Sequence, residues 1–265
     1  MPTLTTRDGA SVAYFVDDFT PPWKPKETLL LVHAAMGASR RFFSWVPPLA
    51  AHYRVLRFDI RGHGESGLVD PAQPFSLQTL VDDALEVLDE VGVQKFHAVG
   101  NSAGGYVAQQ LAMNCPQRVR SLAVFGSTPG LKNSHAMTWL PHIRKMGLRA
   151  FLAATISERF DAGADPELVN WFLDQAGSND PVFVERFITE MCRYDWMDQL
   201  GRIQCPTLIV AAGGEQIGSS NAYEQMKRRI PRSQLIMYPT AGHAIADAHA
   251  QRCVEDLLAF LKQAQ

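Results

Sequence analysis

The sequence predicts an α/β fold: a mostly parallel, doubly wound sheet of about eight strands, with a helical segment inserted between two of them. Three observations carry this. Short apolar runs alternate with helix-patterned stretches along most of the 265 residues, as expected of a parallel sheet covered on both faces. From about residue 129 to 200 no strand pattern occurs, and aromatic residues recur at helical spacing instead. At residues 96–113 an apolar run passes through a glycine-flanked serine directly into a helical pattern.

In chain order, residues 11–16 read as an early strand. Pro21-Pro22-Trp23-Lys24-Pro25 is a turn-rich connection. Residues 28–33 and 53–60 are buried strands. Residues 76–91 form the clearest helix. Leu77, Leu80, Val81, Ala84, Leu85 and Leu88 recur at three- and four-residue steps, with Asp82, Asp83, Glu86 and Asp89 on the other face. Ser76 is suited to cap its start and Gly92 to end it. Residues 95–100 and 119–126 are further strands, separated by a helix over 103–113. Strands resume at 206–213 and 233–239, and a helix over 246–262 closes the chain. The expected division is a sheet core of residues 1–129 and 201–265, with a helical lid over 130–200.

Composition excludes several classes. The chain is 46% hydrophobic and 20% charged with net charge −2, so it is globular and has no basic run for nucleic acid or an anionic membrane. No apolar stretch is long enough to span a bilayer. Met1-Pro2-Thr3-Leu4 lacks the basic start and apolar run of a secretory signal, so a cytoplasmic location is expected. Cys115, Cys192, Cys205 and Cys253 are widely spaced and are expected as free thiols. No metal-ligand spacing occurs, and no cofactor is expected.

The chemistry-bearing signal is Gly100-Asn101-Ser102-Ala103-Gly104. G-x-S-x-G alone also describes an ordinary glycine-rich turn. Between a strand and a helix, it describes a nucleophile elbow that holds a serine hydroxyl at the sheet's edge. Such a serine needs a general base, and the base needs an orienting acid, in the chain order serine, acid, histidine. His243, in Ala241-Gly242-His243-Ala244 after the last strand, is the candidate base, since ligand-facing groups gather on loops that follow strands. His97 falls inside a strand, and His52, His135, His142 and His249 fall in helices or surface segments. The acid should follow the strand at 206–213, where Glu215 is the available carboxylate. Gln216 beside it cannot carry the charge. The amides of Ala103 and Ala35 are the candidate oxyanion donors, the second from the loop His33-Ala34-Ala35-Met36-Gly37. Met36 and Trp139 are the candidate substrate-binding residues. Arg144, Lys145 and Arg149 read as a solvated helix face.

These segments, together with Asp59-Ile60-Arg61-Gly62-His63-Gly64-Glu65-Ser66, make the chain resemble the α/β-hydrolase superfamily, in its branch of small single-domain bacterial serine hydrolases. The resemblance runs nearly end to end. It implies Ser102 as nucleophile, His243 as base, Ala35 and Ala103 as oxyanion donors, and a structural role for the segment around Arg61 and His63. The sequence departs from the family where Ala34 replaces the glycine usual after His33, and where glutamate stands for the usual aspartate: the family's spacing counted from Pro206 ends on Glu215, whereas its G-x-x-D pattern counted from Gly213 ends on Gln216. The implied activity is hydrolysis of a carboxylic ester or lactone of a small, apolar molecule. Alternatives on the same fold are a carbon–carbon bond hydrolase acting on a vinylogous diketone, a cofactor-free dioxygenase, and a ligand-binding receptor with an impaired triad. Ser102 argues against haloalkane dehalogenases and epoxide hydrolases, which use aspartate at the elbow. Oligomeric state is left open between monomer and homodimer.

Overall fold

A computed structural model describes residues 2–132 and 134–264. Met1 and Gln265, at the ends of the expected core, and Asn133, within the expected lid, lie outside the described residues.

The strands are β1 (Thr3–Thr5), β2 (Ser11–Asp17), β3 (Thr28–Val32), β4 (Arg54–Phe58), β5 (Phe96–Asn101), β6 (Val119–Phe125), β7 (Thr207–Ala212) and β8 (Ser233–Tyr238). They form one eight-stranded sheet in the order β1-β2-β4-β3-β5-β6-β7-β8. The pairs β1·β2 and β2·β4 are antiparallel and all others parallel. Successive side chains in a strand face opposite sides, so each central strand feeds two cores. Leu30 and Val32 of β3 join one core, and Leu29 and Leu31 join the other.

The first face is covered by α2 (Leu77–Glu90) and α3 (Ala103–Asn114). The start of α2 carries the expected cap: Thr79 N–H donates to Ser76 Oγ at 3.3 Å, and Ser76 N–H donates to Thr79 Oγ1 at 3.2 Å. The second face is covered by α1 (Val46–Ala50) and, at the chain's end, by α9 (Ile245–Ala248) and α10 (Ala250–Gln263). Between β6 and β7 run α4 (Trp139–Met146), α5 (Leu148–Ala154), α6 (Pro166–Gly177) and α7 (Pro181–Met191), with no strand among the described residues there. Phe151, Phe172, Phe183 and Phe187 of these helices are buried in the first core. Helix α8 (Ser220–Arg229) joins β7 to β8.

The expected single C-terminal helix is broken at His249, whose backbone (φ −122°, ψ 36°) leaves the helical region while its ring packs edge-on against Tyr238. No helix among the described residues is long and apolar enough to cross a membrane.

The register fixes where a site forms. Val32, the last residue of β3, pairs with Gly100 near the end of β5, and Asn101 pairs with Phe125. The loop after β3 and the turn after β5 therefore emerge side by side. From β3 the chain moves to one side to form β4 and then crosses to the other side of β3 to form β5, so its winding direction changes here, and open α/β sheets form their crevice at such a point.

Candidate active site

Ser102 links β5 to α3 with φ 50° and ψ −118°, a conformation that costs a side-chain-bearing residue of order 1–3 kcal/mol. Its N–H is held by Phe125 O at 2.8 Å, and its carbonyl accepts from Gly105 N–H at 2.8 Å. The flanking glycines are needed for space. A Cβ on Gly104 would lie 2.1 Å from Val32 O, and one on Gly100 would lie 2.4 Å from Gly104 O. Tight packing of α3 on the ends of β3 and β5 thus lifts the serine hydroxyl out of the turn.

Ser102 Oγ lies 2.9 Å from His243 Nε2. His243 Nδ1 lies 2.9 and 2.8 Å from the two oxygens of Glu215. The Glu215 side chain is fully buried. Its Oε1 also accepts from the N–H groups of Ile217 (2.8 Å) and Gly218 (3.0 Å), and its Oε2 accepts from the Tyr223 hydroxyl (2.7 Å). Burial pushes this carboxyl up, but His243, the Gly218 amide and the Tyr223 hydroxyl outweigh burial and bring it down to about 2. It is an anion throughout the neutral range. Gln216, the other residue at which the acid count could end, is exposed. A carboxylate fixed to Nδ1 sets the tautomer that leaves Nε2 free to take the serine proton.

The amide of Ala103 opens α3, where the first N–H groups have no intrahelical acceptor. The amide of Ala35 has no acceptor among the described residues. The loop bearing Ala35 is braced from below. Met36 sits at φ 56°, and its N–H donates to His63 Nε2 at 3.2 Å. His63 Nδ1–H in turn reaches Arg61 O at 3.2 Å, and His33 Nε2 accepts from Ile60 N–H at 2.9 Å. Asp59 accepts from the amides of Ser39 (2.6 Å) and Glu65 (2.8 Å). Arg61 is buried against Asp83 and Asp8. These contacts tie the 59–66 segment to itself, to the loop after β3, to α2 and to Asp8, and none of them is with the serine.

Residues 29–256 match the family described as the Alpha/beta hydrolase family. The chain belongs to this family. The chain is 30% identical, over 89% of its own length and 63% of the relative's, to the dihydrolipoyllysine-residue acetyltransferase component of the acetoin cleaving system of Pseudomonas putida. It therefore spans less than two thirds of that relative. It is 27% identical to the putative carbamate hydrolase RutD of Caulobacter sp. (strain K31), over 84% of this chain and 85% of the relative. Among solved structures it is similar to a hydrolase from Pseudomonas aeruginosa PA01, with TM-score 0.86, 28% identity and coverage of 98% of this chain and 97% of that one.

Ser102 opens onto a narrow cavity of about 60 Å³. Met36 and Trp139 line it, where the sequence places substrate binding, together with Tyr106, Phe172, Phe187 and Ile217. Of the three cations expected to be solvated, Arg144 pairs with Glu185 and Arg149 with Asp174 at the surface, and Lys145 is exposed. Three charged residues on the cavity wall, Arg41, Arg159 and Asp247, are not legible in the sequence. They lie outside every motif, and Arg41 meets Asp247 across 206 positions of chain.

Proposed function

We propose that the chain is a serine hydrolase that cleaves a carboxylic ester or lactone of a small molecule through an acyl-enzyme. The observation that carries this reading is the unbroken hydrogen-bonded series Ser102, His243, Glu215 beside two amides that have no acceptor among the described residues. Ser102 Oγ attacks the carbonyl carbon as His243 Nε2 takes its proton. Glu215, ionised and buried, stabilises the imidazolium that forms. Negative charge on the tetrahedral oxygen is held by the N–H groups of Ala35 and Ala103, and loss of one such donor typically costs about a hundredfold or more in rate. His243 then gives the proton to the leaving alkoxide; water attacks the acyl-enzyme with His243 again as base, the acyl–Oγ bond breaks to release the carboxylic acid, and His243 returns the proton to Ser102 Oγ. Residues 130–200 serve as the lid, and Trp139 and Met36, which line the same cavity, meet the substrate. The carbamate named for the relative from Caulobacter is also an acyl compound open to this attack.

The test is hydrolysis of p-nitrophenyl esters of graded acyl length and of simple lactones by wild type, Ser102→Ala and Glu215→Gln. Ser102→Ala is expected to lose about 10⁶-fold in kcat and Glu215→Gln about 10⁴-fold. The narrow cavity predicts faster cleavage of acetyl and butyryl than of decanoyl esters. Turnover that survives Ser102→Ala overturns the mechanism, and a wild type inert on the whole panel overturns the ester reading.

A further inference from the structure

The two arginines on the cavity wall differ in how their charge is met. Arg41 is paired with Asp247 through both Nε and Nη2, and the Asp247 side chain is 3% exposed. Arg159 has no such partner. It is 4% exposed, and its Nη1 donates to Thr155 O (3.0 Å) and Thr155 Oγ1 (2.9 Å). The carboxylate paired with it, Glu158, stands 3.6 Å from Nη1, beyond hydrogen-bond distance. Nε and Nη2 make no hydrogen bond among the described residues. These two nitrogens form one edge of the guanidinium, the fork that grips a carboxylate side-on, as Arg41 grips Asp247.

Burial pulls the Arg159 pKa down to about 10, with the nearby charges of Glu158 and Glu215 opposing and that of Arg41 adding to the fall. The group is still a cation at neutral pH. A buried cation with open donors is costly unless an anion completes it. Its guanidinium carbon lies 5.6 Å from the centroid of the Trp139 ring, which lines the same cavity.

The backbone of Arg159 is fastened to the loop that carries His243. Its carbonyl accepts from Ala244 N–H at 2.8 Å, and a Cβ on Gly242 would lie only 2.5 Å from that oxygen. A group held by Arg159 is therefore held in fixed relation to the reacting centre.

We propose that the substrate carries a carboxylate in addition to the bond that is cleaved, and that Arg159 binds this carboxylate through its Nε–H and Nη2–H. In its catalytic form this deepens, and rests on, the serine-hydrolase reading. The apolar walls take the carbon skeleton, and Arg159 selects the anion.

Two matched ester pairs test it: the p-nitrophenyl monoester of glutaric acid against p-nitrophenyl valerate, and 4-acetoxybenzoate against phenyl acetate. They place the carboxylate on the acyl and the leaving side respectively. Wild type is expected to favour the anionic member of one pair by at least about tenfold in kcat/KM. Arg159→Gln is expected to bring that ratio close to one, and Arg159→Lys to restore part of it. Each ratio is taken within one enzyme, so a loss of folded protein cancels. A wild-type ratio of one or less in both pairs, or a preference that survives Arg159→Gln, overturns the proposal and leaves the hydrolase reading standing. Calorimetric titration with glutarate and with 4-hydroxybenzoate gives a readout independent of turnover. If no ester is cleaved but one of these anions binds wild type and not Arg159→Gln, the hydrolase reading fails and the anion site stands. If there is neither cleavage nor binding, both fall.

Discussion

Ser102 and Met36 are the non-glycine residues with positive φ among the described residues, at 50° and 56°. Both border the same cavity, so backbone strain is concentrated where the chemistry is proposed. What holds Met36 in place is a neutral imidazole. Burial, and then the proximity of His33, push His63 down to about 3 from an ordinary value of 6.5. The sign of the pH effect follows. A group whose folded pKa is depressed stabilises the fold above its unfolded pKa, and that stability is lost as pH falls through the folded value. His63 therefore costs stability from about pH 6.5 down to about 3, and Glu215, lowered from 4.5, adds to the loss between about 4.5 and 2. Urea midpoints measured across this range are expected to fall steadily with acid. His63→Gln, whose amide oxygen can still accept from Met36 N–H, is expected to flatten the upper part of that fall. An unchanged slope in His63→Gln would mean that the buried imidazole does not govern it.

Elements differ in how much of them was legible, and the difference has local causes. Helix α2 has both a cap and an apolar stripe, so its bounds at Leu77–Glu90 lie within a residue of those read from the pattern. Strands β3 to β8 are runs bounded by turn residues, and all six were anticipated. Helix α8 was not, because it buries only Ala222, Tyr223 and Met226 and its remaining residues are polar. Helix α1 was hidden by Pro47 and Pro48, which mark a turn as readily as a helix's first turn. Strand β1 is three residues long, too short for a period to register. Two substitutions distinguish a local contribution from a packing one. Ser76→Ala removes the cap of α2 and is expected to cost about 1 kcal/mol. Gly104→Ala forces a methyl against the carbonyls of Val32 and His33 and is expected to cost about 3 kcal/mol or to prevent folding. Thermal melts of the two, at about 2–4 °C per kcal/mol for a chain near this size, rank them. Equal shifts would count against the close approach of α3 to β3.

Over the whole molecule, the second core is closed by α10, whose Val254, Leu257, Phe260 and Leu261 pack on the sheet beside Cys253. Cys253 is fully buried, its thiol donates to Ile245 O, and burial pushes its pKa up to about 12. Cys115, Cys192 and Cys205 are free and only partly buried. A thiol reagent followed by mass spectrometry is expected to leave Cys253 unmodified in native protein and to label it at the rate of unfolding in urea. Rapid native labelling would show that α10 opens without the rest. The sequence by itself determined the alternation of strand and helix, the strandless insertion and the elbow around Ser102, each set by residues within a turn or two of one another through side-chain period, glycine placement and caps. Only the tertiary structure decided which carboxylate faces His243, that His63 braces Met36, that Arg41 is neutralised by Asp247, and that Arg159 stands on the cavity wall with two donors that meet no acceptor among the described residues. Ser102 and His243 meet across 141 positions and Arg41 and Asp247 across 206. Contacts at that range are made by loops with no period of their own, and they exist only once the sheet has set its strands in register.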